Sequence, residues 1–111
     1  MAKIERIINR DFDQLLSTIE DGIINGSVSA SLEDASDFRS QDARCSVRVF
    51  EFERFSYTGG NRVSLNVTLF QNGEEPVHLS AITAGGSQAV FFKLNTFGEE
   101  AFLDKLIELL D

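Results

Sequence analysis

Apolar residues recur at helical spacing near both ends of this chain and alternate with polar ones through its middle. Phe12, Leu15, Leu16, Ile19 and Ile23 fall every three or four positions, which predicts a helix with one buried face. Asp11 stands where an N-cap belongs, and Gln14, three residues on, completes a capping box. Gly26 ends the run, where a left-handed residue is expected. Gly22 costs the helix about 1 kcal/mol relative to alanine, which suggests a close approach to a sheet. At the far end, Thr96 to Glu99 reads as a second capping box. It precedes a helix carrying Phe102, Leu103, Leu106, Ile107 and Leu110. Glu99, Glu100, Asp104, Glu108 and Asp111 read as its solvated face, the first two also suiting the positive end of the helix dipole.

Between the helices the period changes to two. Residues 3–9, ahead of the first helix, suggest a short strand. Val28, Ala30 and Leu32 alternate with serines and suggest another, whereas residues 33–42 are polar and turn-rich. Four strand-like runs follow, at 43–57, 62–70, 77–83 and 88–94. The order β-α-β-β-β-β-β-α predicts an α+β fold of two layers, an antiparallel sheet with both helices packed on one face. Residues 1–111 form a single domain.

Two diglycine segments punctuate the strands, Gly59-Gly60 and Gly85-Gly86. Two-residue hairpin turns take glycine at both central positions because φ is positive there. Centring the first turn on Gly59-Gly60 sets Phe52 opposite Val67 and Phe50 opposite Leu69. Cys45 and Val47 then have the wrong phase for the core. A β-bulge near residues 49–50 would bring them inward. Centring the second turn on Gly85-Gly86 sets Ala81, Leu79 and Val77 opposite Val90, Phe92 and Leu94. Val67 then meets Leu79, and Asn72-Gly73 closes the intervening loop with a left-handed glycine. Both diglycine turns fall at one end of the sheet.

This register yields the candidate sites. Exposed backbone N–H groups at the diglycine end, with Thr58, Gly59, Gly60, Asn61, Arg62, Gly85, Gly86, Ser87 and Gln88, could hold an anion or small ligand. Two ordinary hairpins explain the same glycines, and neither segment matches a phosphate-loop or dinucleotide fingerprint. Phe55, Ile82 and Phe91, with Tyr57 beside them, form an apolar group on the outer face and suggest a homodimer interface. His78, the one histidine, shares a polar row with Glu51 but lies two strands from it. An enzyme using Glu51 and His78 is therefore the weakest reading, since nothing completes a catalytic constellation.

Composition narrows the function without naming it. The chain has 111 residues, and 42% of them are hydrophobic, enough to bury a core. Its formal charge of −8 disfavours nucleic acid and anionic membranes as partners. Cys45 is the only cysteine, so no intramolecular disulfide forms and a reducing cytoplasm is the natural setting. It reads as a small core hydrophobe, since no histidine or helix N-terminus stands ready to activate it. No metal site and no cofactor are expected. No secretory h-region is visible, and no apolar run approaches the roughly 20 residues of a membrane span.

Three stretches carry a resemblance: 56–65 (SYTGGNRVSL), 80–83 (SAIT) through 98–103 (GEEAFL), and 29–37 (SASLEDASD). Together they resemble a family of short bacterial proteins catalogued only as a domain of unknown function. The resemblance covers nearly the whole chain. It implies a bacterial, cytoplasmic, stand-alone protein and brings no activity, ligand or catalytic residue. The resulting expectation is a non-enzymatic binding or interaction domain acting as a homodimer. The alternative is a small-ligand or anion-binding protein using the diglycine end.

Overall fold

The computed structural model describes residues 1–56, 61–85 and 92–111. Its elements are β1 (Ala2–Ile8), α1 (Phe12–Gly26), β2 (Ser31–Arg39), β3 (Cys45–Ser56), β4 (Asn61–Asn72), β5 (Val77–Gly85) and α2 (Phe92–Leu110). The strands form one antiparallel sheet in the order β1-β5-β4-β3-β2. Both helices cover one face of it, the expected two-layer α+β arrangement. Phe12, Leu15, Leu16, Ile19 and Ile23 of α1 and Phe102, Leu103 and Leu106 of α2 join one core. They meet the inward residues of the three central strands, from Phe50 and Phe52 to Leu79 and Ala81.

Local signals explain α1. The Asp11 carboxylate accepts a hydrogen bond from the Gln14 N–H at 3.0 Å, satisfying one of the free donors of the first turn. Gly26 is the last helical residue, and extended Ser27 follows it, so no left-handed glycine caps this end. Gly22 faces α2 rather than the sheet: a Cβ there would lie 2.6 Å from Leu109 Cδ1.

Several expected elements move. Residues 33–42 are not a loop, because β2 takes most of them, while Val28 lies in the turn before it and is fully exposed. An edge strand needs no apolar alternation when its backbone ladder to β3 supplies the pairing. Glu33 sits at the bulge of that ladder, between Leu32 and Asp34. Phe92–Leu94, expected in a last strand, are the first turn of α2, and residues 88–91 lie outside those described. The place beside β5 is taken instead by β1, where Ile4 pairs with Ala81 and Ile8 with Val77. Thr96 is therefore inside the helix, not its cap. Glu99 is turned inward, buried, and ion-paired with the α-amino group of Met1. Glu100, Asp104, Glu108 and Asp111 stay exposed, as a solvated face requires.

The register differs from the expected one by two residues in both hairpins. Ser56 pairs with Asn61, and residues 57–60 between them lie outside those described. Phe50 therefore faces Val67 and Phe52 faces Leu65. Likewise Leu69, not Val67, meets Leu79. A slip of two keeps every side chain on its expected face but moves it to another row. Gly73 is left-handed, φ +60°, as the loop after β4 demands.

No bulge interrupts β3, whose ladder to β4 is continuous from Cys45 to Ser56. Cys45, Val47 and Val49 accordingly face away from the helices, and Ser46 and Arg48 face toward them. Arg48 is accommodated by laying its guanidinium over the Phe50 ring, 5.4 Å from its centroid, and pairing with Asp37 at 3.4 Å. At the other end of β3, Arg54 lies 4.6 Å over Phe102 and donates to Ser27 Oγ at 2.7 Å. Burial lowers its pKa from the usual arginine value, and the ring face and hydroxyl offset that desolvation.

The turn before β3 stores local strain. Ala43 has φ +61°, the left-handed region that a side chain disfavours. Ala43→Gly should raise stability by up to about 1 kcal/mol, the usual left-handed cost less the added chain entropy. A urea midpoint unchanged or lowered by the substitution would contradict this.

Candidate functional site

The face of the sheet opposite the helices has no covering element among the described residues. Direct cross-strand partners point to the same side, so the ladders define its rows. One row crosses all five strands: Ile7, His78, Phe70, Val47, Phe38. Four of its five members are apolar. Ile7 is 69% exposed and Phe38 62%, while Phe70 retains 39%. The Phe70 and His78 rings lie 6.3 Å apart, tilted at 53°. The next row reads Glu5, Ser80, Thr68, Val49, Ser36. The one beyond reads Lys3, Ile82, Asn66, Glu51, Asp34.

A groove of about 470 Å³ opens on the β1 side of this face. Ile7, Phe70 and His78 form its apolar end, and Glu5, Thr68 and Ser80 its polar end. Thr68 Oγ1 donates to Asn66 Oδ1 at 3.0 Å, and Asn66 Nδ2 donates to Glu51 at 3.1 Å. Polar groups in the middle of the face are thus bonded to one another. The apolar row beside them has no such partners to offer solvent.

The expected sites are placed differently. Phe55 and Ile82 do lie on this face, each 38% exposed. They do not converge: Ile82 stands in the row of Asn66 and Glu51, whereas Phe55 stands opposite Arg62, two strands and two rows away. The two-residue slip separates them. Tyr57 and Phe91 lie outside the described residues, as do Thr58, Gly59, Gly60, Gly86, Ser87 and Gln88. Asn61 and Arg62, which start β4, and Gly85, which closes β5, lie at the same end of the sheet. Arg62 is already engaged, by Glu53 at 2.8 Å and Ser31 Oγ at 3.4 Å.

Glu51 and His78 are not brought together. They are two strands and four residues of register apart, roughly 16 Å from ladder spacings. The carboxylate nearest His78 along the sheet belongs instead to Glu5. Cys45 is a free, half-buried thiol on the uncovered face, donating to Asn72 Oδ1 at 3.4 Å. It is not a core residue, because the straight β3 ladder turns it outward.

The Family of unknown function (DUF6054) matches residues 1–111, the whole length of the chain. The chain belongs to this family. No curated protein and no solved structure matches it.

In this DUF6054 chain the row from Ile7 to Phe38 escapes sequence reading because it depends on register. Phe38 falls in a polar stretch, Ile7 in a strand with no visible neighbour, and Val47 in a strand whose phase invites a bulge. Alternation alone assigns a face, and only the ladder assigns a row. Among the described residues, no group of three or more His, Cys, Asp or Glu side chains is placed to hold a metal ion. No described helix is long and apolar enough to cross a membrane.

Proposed function

We propose that this chain is a non-enzymatic interaction domain that works as a homodimer, two copies closing their uncovered sheet faces on each other. The observation that carries this reading is the row of four apolar residues and His78 that crosses the five strands on a face that no described element covers. Exposed apolar groups scattered singly are ordinary, whereas a contiguous band on one face marks an interface. Area supports the same reading. Five strands at about 4.8 Å spacing and roughly nine residues in length give a face of roughly 700 Å². Two such faces reach about 1,400 Å², within the range of stable interfaces. The product is a four-layer sandwich with helices outside and both sheets within.

A bacterial cytoplasm suits this reading, since the free Cys45 thiol needs a reducing setting to stay unpaired. An anion at the diglycine end is less favoured. It would compete with Glu53 and Ser31 for Arg62.

Sedimentation equilibrium should show a dimer at micromolar concentration. Phe70→Lys, in the middle of the row, should weaken it by about 30-fold or more, as loss of a central anchor does. Its far-UV circular dichroism should remain that of the wild type. A wild-type monomer at high micromolar concentration would remove the homodimer.

A further inference from the structure

We infer that the two copies pack with the β1 side of one sheet over the β2 side of the other, so that Phe38 of each seats in the Ile7–Phe70–His78 groove of its partner. The inference rests on the homodimer reading and adds its geometry. Aligned face-to-face sheets offer two in-plane two-fold axes, one along the strands and one along the rows. An axis along the strands through β4, the central strand, lays each row on its own copy with the ends exchanged. Ile7 then meets Phe38, His78 meets Val47, and Phe70 meets Phe70.

Shape favours this axis. The groove lies at one end of the apolar row, and the protruding Phe38 ring stands at the other. Exchanging the ends places each knob on a hole, twice by symmetry. Charge favours it as well. The row of Lys3, Ile82, Asn66, Glu51 and Asp34 has its cation at one end and both carboxylates toward the other. End exchange sets Lys3 against the partner's Asp34, twice, and keeps both Glu51 carboxylates off each other. In a chain of net charge −8 those cross-pairs offset part of the repulsion between copies. The axis along the rows does neither. Stacking the apolar row on itself that way sets His78 on His78. Because the row lies near one end of the sheet, it also leaves the row from Lys3 to Asp34 overhanging with no partner.

Chemical cross-linking separates the two axes. In a Cys45→Ser background, one preparation carries Ile7→Cys and a second carries Phe38→Cys. Both sites are exposed, and circular dichroism checks that each variant folds. Mixing the two and adding a short bis-maleimide should give a covalent dimer. Each preparation alone should give little, because 7 is far from 7 and 38 from 38. A mixed pair also keeps one native Ile7–Phe38 contact, which holds the heterodimer together. Lys3→Cys mixed with Asp34→Cys is the second pair and should behave alike. Products from either preparation alone would overturn the end-exchanged packing. So would a dimer by sedimentation that yields no 7–38 or 3–34 product, although the homodimer would survive that result. A monomer in sedimentation would remove both.

Discussion

Phe52→Ala should lower the stability of the fold by about 3–5 kcal/mol, the range for truncating a buried phenylalanine. Phe52 is fully buried, and its ring stacks on Phe50 with centroids 5.3 Å apart and planes 28° from parallel. It sits in β3 with Leu65 directly opposite on one side and Leu32 on the other. Backbone ladders on both sides keep neighbours from closing the cavity, which places the cost toward the top of the range. A domain of this size has roughly 5–15 kcal/mol in all, so a substantial share is lost. The melting temperature should fall by roughly 15 °C. The chain lacks tryptophan and has one tyrosine, so far-UV circular dichroism in urea is the suitable measurement. The midpoint should drop with little change in slope. A loss below about 1 kcal/mol would mean that the Phe50–Phe52 stack is not the centre of the core. Phe38→Ala should cost the single chain no more than about 0.5 kcal/mol, as at an ordinary surface position.

Gly22→Leu should destabilise by about 1–3 kcal/mol through the contact between the two helices. A Cβ at this position would lie 2.6 Å from Leu109 Cδ1 and 3.0 Å from Cγ, closer than carbon atoms tolerate. Replacing glycine favours the helix by about 1 kcal/mol, which opposes the clash. Gly22→Ala should therefore change stability little, because Leu109 is a half-buried side chain whose tip can shift. Leucine adds bulk that the tip cannot avoid, and α2 must move outward. Leu109→Ala should then rescue Gly22→Leu. In thermal melts the double variant should be more stable than the single Gly22→Leu variant, which signals direct coupling. Additive losses in the double-mutant cycle would refute the contact as the cause.

How far the fold could be read from sequence depended on how local its causes are. α1 was legible almost residue by residue, since a cap at Asp11 and five apolar positions at helical spacing act within a few turns. The inward faces of β4 and β5 were legible too, because alternation is local. Register was not. It depends on where the β3–β4 ladder stops, here at Ser56 and Asn61, and a diglycine pair fits either a two-residue turn or part of a longer one. β2 escaped because an exposed edge strand carries no apolar signature. Phe92–Leu94 misled because apolar residues on either side of Lys93 suit the end of a strand or the first turn of a helix equally. The uncovered face was visible as a face, yet its apolar row was not. Ile7, Phe70, Val47 and Phe38 come from four strands, and only their ladders set them side by side.

The two edges of the sheet have a shared origin. β1 and β2 are consecutive strands in the chain, joined through α1, and they bracket the sequence-local meander of β3, β4 and β5. The span from Ile7 to Phe38 is therefore set jointly, by the width of the meander and by how α1 bridges its two sides. A change that tilts α1 would act on both brackets at once, moving opposite ends of the same apolar band while leaving the two inner ladders in place.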